Sequence, residues 1–506
     1  MAPAWARHLP DGADPVALDL LAAGSLPAAW ARRWAERPER RVVRDVDGTW
    51  LTGADLLAGT AAVAGRLAAA GLRRGDRVLV SASTSAALVV AHCATLRSGL
   101  VVVPVNGASS EREVTALIGA AKPRAAILEA AHLRAWALAA APDLLVVGVD
   151  VDLPDGPPPP LDVAEPGEPA LLPYTSGTTG APKGVPLSHG NLLASAEALR
   201  LAWRWDDEDA LILCLPLFHV HGLAVGLHGA LLTGGTVLLH AGFDTEAVLA
   251  DAAEATLLFG VPTMWTRLAA ANGAERLQAL RLCVSGSAPM SEELHAEVLD
   301  RCGQVVLERY GMTETIMLVS NPYEGERRAG SVGVPLPGVE LRLGPGDELQ
   351  VRGPNVFAGY LGAPDAQGGA FTGDGWFRTG DVGALDPDGY VRIVGRAKEL
   401  IITGGFNVYP REVEDVLRGH PGVADVAVVG TPSAEWGETV TAYVEAGPGF
   451  DGDALLAWAG GQLAPHKRPR LVHRIAALPR NGMGKVVRSD LRPPVPDAPV
   501  PAPPTT

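Results

Sequence analysis

Four short stretches collect the residue types that handle phosphate and carboxylate groups. Tyr174-Thr-Ser-Gly-Thr-Thr-Gly-Ala-Pro-Lys-Gly184 sets hydroxyls, three glycines and a lysine behind the apolar Leu171-Leu172. Backbone N–H groups and hydroxyls of such a loop can fold around a polyphosphate, with Lys183 as a mobile cation. It is not a Walker A loop: the spacing from Gly177 to Lys183 is wrong, and Gly184 stands where Ser or Thr would hold a metal. Leu307-Glu-Arg-Tyr-Gly-Met-Thr-Glu-Thr315 offers Glu314 to Mg²⁺ and Thr313 to phosphate. Trp376-Phe-Arg-Thr-Gly-Asp381 ends on a carboxylate able to chelate two ribose hydroxyls. Arg480-Asn-Gly-Met-Gly-Lys485 presents a lysine on a glycine-flanked loop, suited to a phosphoryl or acyl centre. Taken singly, each is also compatible with a solvated surface turn.

These residues need a frame. Apolar runs of strand length alternate with Ala/Leu-rich stretches: Arg77 to Val80, Val101 to Val105, Arg124 to Leu128 and Leu144 to Val149 read as strands, and Ala86 to Arg97 as a helix. That alternation predicts parallel sheets covered by helices on both faces. Leu211 to Leu239 is long and apolar but holds Pro216, His219, His221 and His228, so it reads as strand, loop and helix of a core rather than a membrane span. Pro154 to Pro160 reads as a surface connection. Near position 395 the pattern changes. Strands are expected at Val423 to Gly430 and Thr439 to Ala446, and helices at Pro410 to Arg418 and Asp453 to Leu463. The expected division is a large domain over residues 1–395, a small α+β lid over 396–492, and a disordered Pro/Ala-rich tail over 493–506.

Composition narrows the function classes. In 506 residues, 42 Lys and Arg face 57 Asp and Glu, a formal charge of -15, which argues against nucleic-acid binding. No apolar h-region follows Met1, and the four widely spaced cysteines form no CxxC pair; both features lead us to expect a cytoplasmic protein with reduced thiols.

In their order and spacing, the four motifs resemble the adenylate-forming superfamily of acyl-CoA synthetases, nonribosomal adenylation domains and firefly-type luciferases, from about Ala28 to Leu491. The resemblance implies an α/β fold: parallel αβα sheets and a distorted β-barrel in the large domain, with a mobile small domain. It implies that Thr175, Ser176, Gly177, Thr178, Thr179, Gly180 and Lys183 bind phosphate. Ser285, Gly286, Ser287 and Ala288, with Glu308, Arg309, Tyr310 and Gly311, would line the adenine pocket. Thr313 and Glu314 would meet phosphate and Mg²⁺, and Asp381 and Arg396 the ribose. Lys485 would bridge carboxylate and α-phosphate, with Thr175, His219 and Glu314 also catalytic. Lys398 would be the hinge, and Thr403-Gly404-Gly405 would approach the thiol channel. ATP, Mg²⁺ and CoA are the implied cofactors and acceptor.

Arg309 stands where most of the superfamily has a neutral residue. A guanidinium there can pair with a second carboxylate. Glu308-Arg-Tyr-Gly-Met-Thr-Glu314, Leu217-Phe-His-Val-His-Gly222 and Ala464-Pro-His-Lys-Arg-Pro469 are similar to malonyl-CoA synthetases. The expected substrate is therefore malonate or a small substituted malonate, with Ser285, His219, Val220 and Met312 beside Arg309 in the acyl pocket. A structural ion pair to Glu308 or another nearby acid is the bland alternative for Arg309, while His221 and His228 read as structural. Other open readings are another small acid, including nitrite in N–N bond or diazo formation, and delivery to a carrier protein or an amine.

Overall fold

A computed structural model describes residues 3–176, 182–362, 369–433, 436–447, 450–481 and 484–491. Gly177, Thr178, Thr179 and Gly180, and the 493–506 tail, lie outside the described residues. The chain forms two units: Met1–Pro345 with Leu349–Thr379 and Leu385–Arg392, and Gly346–Glu348 with Gly380–Ala384 and Ile393–Thr506. The second unit thus begins at Ile393 and takes in two short earlier pieces, where the sequence pattern places the change at 396. Asp381 belongs to the second unit by this division.

The first unit contains two mainly parallel sheets. In one, the order is Leu187–Ser188, Pro169–Leu171, Val101–Pro104, Arg77–Ser81, Ala125–Leu128 and Leu145–Val147. Arg77–Ser81 is central, with Val78 opposite Val102 on one side and Ala125 on the other. Its β-branched residues are buried on both faces, which is why these strands show no polar alternation. Helix Ala86–Arg97 starts where the Ser85 hydroxyl accepts the Leu88 N–H at 3.3 Å, a cap that contributes about 1 kcal/mol.

The other sheet has nine strands. Leu282–Ser285, Leu257–Gly260, Ala210–Leu213 and Thr236–Leu239 form its parallel centre, and Leu307–Tyr310 joins Leu282–Ser285 in parallel. Helices Thr245–Asp251, Pro262–Ala269 and Glu292–Cys302 flank a core of Ile212, Leu258, Cys283, Trp265 and Val298. The Leu211 to Leu239 stretch resolves into strand Ala210–Leu213, π-helix His221–Leu227, helix His228–Thr233 and strand Thr236–Leu239. Gly234 ends that helix at φ 78°, a left-handed turn that glycine adopts without steric cost. In open α/β sheets, ligand sites gather at the carboxyl ends of strands. Three such ends here lead to Pro216, Ser285 and Tyr310. Where the distorted barrel is expected, Glu340–Leu343 pairs antiparallel with Glu348–Arg352.

In the second unit, Val423–Ser433 and Gly437–Ala446 form a long antiparallel pair, with Leu471–Ile475 parallel to the latter. Helices Pro410–Arg418 and Gly452–Gln462 supply Val413, Leu417, Leu455 and Ala459 to its core. All four cysteines are free and buried. Among the described residues, no helix is long and apolar enough to cross a membrane.

Candidate active site

The stems of the phosphate loop form a hairpin. Tyr174–Ser176 pairs antiparallel with Pro182–Gly184, setting Thr175 opposite Lys183. The Lys183 ammonium lies 5.3 Å from the centre of the Tyr360 ring, a cation–π contact. The Tyr360 hydroxyl donates to Glu314 Oε1 at 2.8 Å. Burial raises the Tyr360 pKa, and the neighbouring Glu314 charge raises it further, so the phenol keeps its proton and remains a donor. Two distant motifs are thereby joined through a residue that motif reading missed. The irregular segment that carries Tyr360 past them is tied by backbone bonds: Leu361 N–H to the Gly184 carbonyl and Phe357 N–H to the Glu314 carbonyl, both 2.9 Å. Asn355 donates to the carbonyls of Thr315 and Met317 at 2.8 and 2.7 Å. Glu314 is buried, while Thr313 and Met312 are half-buried beside it. Gly311 is required where it stands, since a Cβ there would overlap the Ile316 carbonyl.

Strand Leu307–Tyr310 sends adjacent side chains to opposite faces. On one side, Glu308 accepts the Met290 N–H at 3.2 Å and lies 3.4 Å from His295 Nε2. On the other, Arg309 packs so closely over Gly286 that a Cβ on Gly286 would overlap the guanidinium. The pairing of Arg309 with Glu308 offered by the sequence is absent: Arg309 Nε and Nη2 are buried without a hydrogen-bond partner. Burial pulls the Arg309 pKa down to about 9, against a smaller opposing pull from Glu308. The guanidinium therefore stays charged at neutral pH although only 4% exposed.

The other expected pocket residues differ in exposure. Ser285 is fully buried with its hydroxyl unpartnered, and Val220 is buried. Ser287 and Ala288 are half-buried on the turn that follows, Ser287 at φ 68°. Half-buried His219 accepts the His221 N–H on Nδ1 at 3.2 Å, so its neutral ring carries the proton on Nε2. His228, read from the sequence as structural, is buried with its Nε2 2.8 Å from His92 Nε2. His221 is not so readily set aside, since it lies 3.1 Å from Ser287 Oγ and within the field of Arg309. Beyond Pro216, Leu217 and Phe218 opens a cavity of about 500 Å³. Leu223, Phe243 and Met264 also line it, with Ser83, Asn106 and Glu129 at its polar side.

The second unit holds its own cluster of charges. Asp381 is buried and meets exposed Arg396 at 3.2 Å. Lys485 has its pKa lowered by burial first and by Arg396 next, with Glu399 and Asp381 opposing. Its backbone N–H donates to Asn481 Oδ1 at 3.0 Å, closing the turn through Gly484 at φ 73°. Arg488 bridges Glu399 and Glu414. Lys398 is exposed in the short helix Ala397–Glu399.

Residues 30–361 match the AMP-binding enzyme family, and residues 412–485 match the AMP-binding enzyme C-terminal domain. The chain belongs to the AMP-binding enzyme family. Within that family it is an acyl-CoA synthetase, an AMP-forming acid–thiol ligase. The ligase is 38% identical over 488 residues to a feruloyl-CoA synthase of Amycolatopsis sp, covering 93% of this chain and 98% of the relative. It is 36% identical over 509 residues to a sulfoacetate–CoA ligase of Cupriavidus necator, covering 94% and 98%. The solved structure of a malonyl-CoA ligase with methylmalonyl-CoA and AMP bound is 42% identical, with a TM-score of 0.65 over 87% of this chain and 97% of that one.

Proposed function

We propose that this ligase joins malonate, or a small substituted malonate, to CoA, consuming ATP and releasing AMP and pyrophosphate. One observation carries the substrate class: a buried, charged arginine whose Nε and Nη2 have no hydrogen-bond partner among the described residues. Leaving a guanidinium unsatisfied in the interior costs several kcal/mol. A distal carboxylate would neutralise it through two parallel N–H···O bonds.

In the proposed first half-reaction, a carboxylate oxygen of the acid attacks the α-phosphorus of ATP and the P–O bond to pyrophosphate breaks. In the second, the thiol sulfur attacks the acyl carbon of the adenylate and AMP leaves. Anion meets anion in the first step, so cations must neutralise the approach. Lys183, with Thr175, Ser176, Gly177, Thr178, Thr179 and Gly180, is assigned to the phosphates. Lys485 is assigned to the charge that develops during adenylation, and its lowered pKa marks a desolvated ammonium suited to that task. Ser285 to Ala288 and Glu308 to Gly311 are assigned to the nucleotide base, Asp381 and Arg396 to the ribose, and Lys398 to the hinge. His219, Val220 and Met312 are assigned to the acyl group.

Glu314 suits Mg²⁺. It is a buried hard-oxygen donor, and among the described residues no group of three or more His, Cys, Asp or Glu could hold a metal alone. Mg²⁺ commonly takes one or two carboxylates and completes its shell with water and substrate phosphate. When bound, it would neutralise phosphate charge; Tyr360 fixes the orientation of the Glu314 carboxylate.

The test is a mass-resolved product assay with ATP, Mg²⁺ and CoA against malonate, methylmalonate, sulfoacetate, acetate, ferulate and nitrite. The expected outcome is malonyl-CoA with AMP, lost in Arg309→Ala. The likeness to a feruloyl-CoA synthase favours a second reading, in which the acid is aromatic. AMP formation with ferulate and not with malonate would establish that reading and overturn the first. AMP formation without a CoA thioester would move the acceptor to a carrier protein or amine. For the catalytic assignment, Lys485→Ala should abolish ATP–pyrophosphate exchange but spare thiol transfer from preformed adenylate. Equal loss of both half-reactions would remove Lys485 from that role.

A further inference from the structure

His221 begins the π-helix His221–Leu227 and is buried. A π-turn holds one residue more than the α-helix would, and such turns are common at functional sites. The ring has one satisfied nitrogen: Nδ1 lies 3.1 Å from Ser287 Oγ. The other, Nε2, is buried without a partner. Ser287 reaches the ring from a left-handed backbone conformation at φ 68°, which costs of order 1 kcal/mol for a residue other than glycine. The preceding residue, Gly286, is the one over which Arg309 lies. A single turn, Ser285 to Ser287, therefore seats both His221 and Arg309. Burial, the Arg309 charge and His219 together hold the His221 pKa well below 6.5, so the ring is neutral.

Resting on the reading of Arg309 as the seat of the substrate's distal anion, we propose that His221 is a second specificity-determining residue, donating Nε2–H to that same anion, with Ser287 fixing the tautomer. The Ser287 hydroxyl turns to donate to Nδ1, which leaves the ring proton on Nε2. A neutral donor suits the task better than another cation would. One guanidinium and one distal carboxylate already cancel, and a second buried positive charge would be left uncompensated. Three unpartnered polar atoms, Arg309 Nε and Nη2 and His221 Nε2, are accounted for by one ligand group.

The experiment compares malonate with its monomethyl ester, which keeps the reacting carboxylate but replaces the distal charge with a neutral ester one methyl group larger. KM is measured for each, or Ki where the compound is not turned over, together with KM for ATP. A hydrogen bond to a charged group corresponds to roughly a 10- to 100-fold change in affinity. His221→Leu should raise KM for malonate by that factor, narrow the malonate-to-ester ratio, and leave KM for ATP unmoved. His221→Asn, which retains a donor, should recover part of the loss. Ser287→Ala should have a smaller effect, and the ¹⁵N shifts of the His221 ring should lose the pattern of a single tautomer. Should His221→Leu fail to fold, the Asn and Ser287→Ala variants carry the same ratio test. Arg309→Met separates the two levels. A ratio that collapses in Arg309→Met but holds in the His221 and Ser287 variants overturns the role of His221 alone. A ratio unchanged in all of them overturns the distal-anion reading as well.

Discussion

Two arginines of the first unit are buried to the same degree and treated in opposite ways. Arg97, 5% exposed, has its own acid: Nε and Nη2 reach Asp162 at 3.0 and 2.7 Å, and Nη1 reaches the Thr60 hydroxyl at 2.5 Å. Arg309, 4% exposed, has a glycine backbone against its plane and two nitrogens with nothing to bind. An arginine serving the fold arrives with its counter-charge, because a buried cation without one destabilises the folded state. Among the described residues Arg309 has no acid hydrogen-bonded to its Nε and Nη2, which is what the proposed role as the seat of a substrate anion requires. Under that proposal, the contrast would separate a structural cation from a recognition cation.

The comparison breaks most visibly on activity. Arg309→Met should lower kcat/KM for malonate by about 150- to 5,000-fold, the equivalent of about 3–5 kcal/mol for removing one partner of a buried pair. The same change should leave the melting temperature of the ligand-free protein unchanged or higher, because an uncompensated charge has been removed. Arg97→Met should do the reverse. It strands Asp162 and should destabilise the fold by about 3–5 kcal/mol, read by denaturant unfolding, while turnover per folded molecule is kept.

Acidification sharpens the contrast on another class of buried group. Burial lowers the pKa of His8 and His189 to about 4 and of His92 to about 3. The unfolded chain binds these protons near pH 6.5 and the native state refuses them. Their contribution is therefore fully present above pH 6.5 and declines as pH falls from there towards 4. Each histidine can add about 1.4 kcal/mol per pH unit to that slope. A denaturation midpoint that stays flat between pH 7 and 5 would show that these rings are charged in the fold. Histidines thus escape burial by losing a proton, a route closed to Arg309 at neutral pH. The smallest effect is on heating: malonate at a hundred times its Kd should stabilise the wild type by about 2.7 kcal/mol, and Arg309→Met not at all.

Local order was largely legible. Helices Ala86–Arg97 and Pro410–Arg418 fall where apolar spacing and the flanking residues place them. The parallel sheets follow from strand runs without polar alternation. What escaped the sequence depends on contacts between distant segments. Nothing near Tyr360 announces that its ring meets Lys183 and its hydroxyl Glu314. The alternation of Leu307–Tyr310 was readable in principle, and it would have argued against pairing Arg309 with Glu308, since neighbours on a strand face apart. His221 read as structural because a lone histidine in an apolar stretch suggests a core residue; only the π-turn and Ser287 give it a direction. The unit boundary differs for a related reason, because membership of 346–348 and 380–384 is decided by spatial contact and not by chain order.

The π-helix His221–Leu227 has a consequence for how this pocket can change. Point substitutions alter what a position carries but leave its direction alone. A helix wound one residue wide is different, since excising a single codon there would tighten the turn and rotate each preceding side chain by about 100°. Substrate range in this lineage is then open to revision by deletion as well as by replacement, and length polymorphism at this turn becomes the place to look when sister sequences prefer acids of different shape.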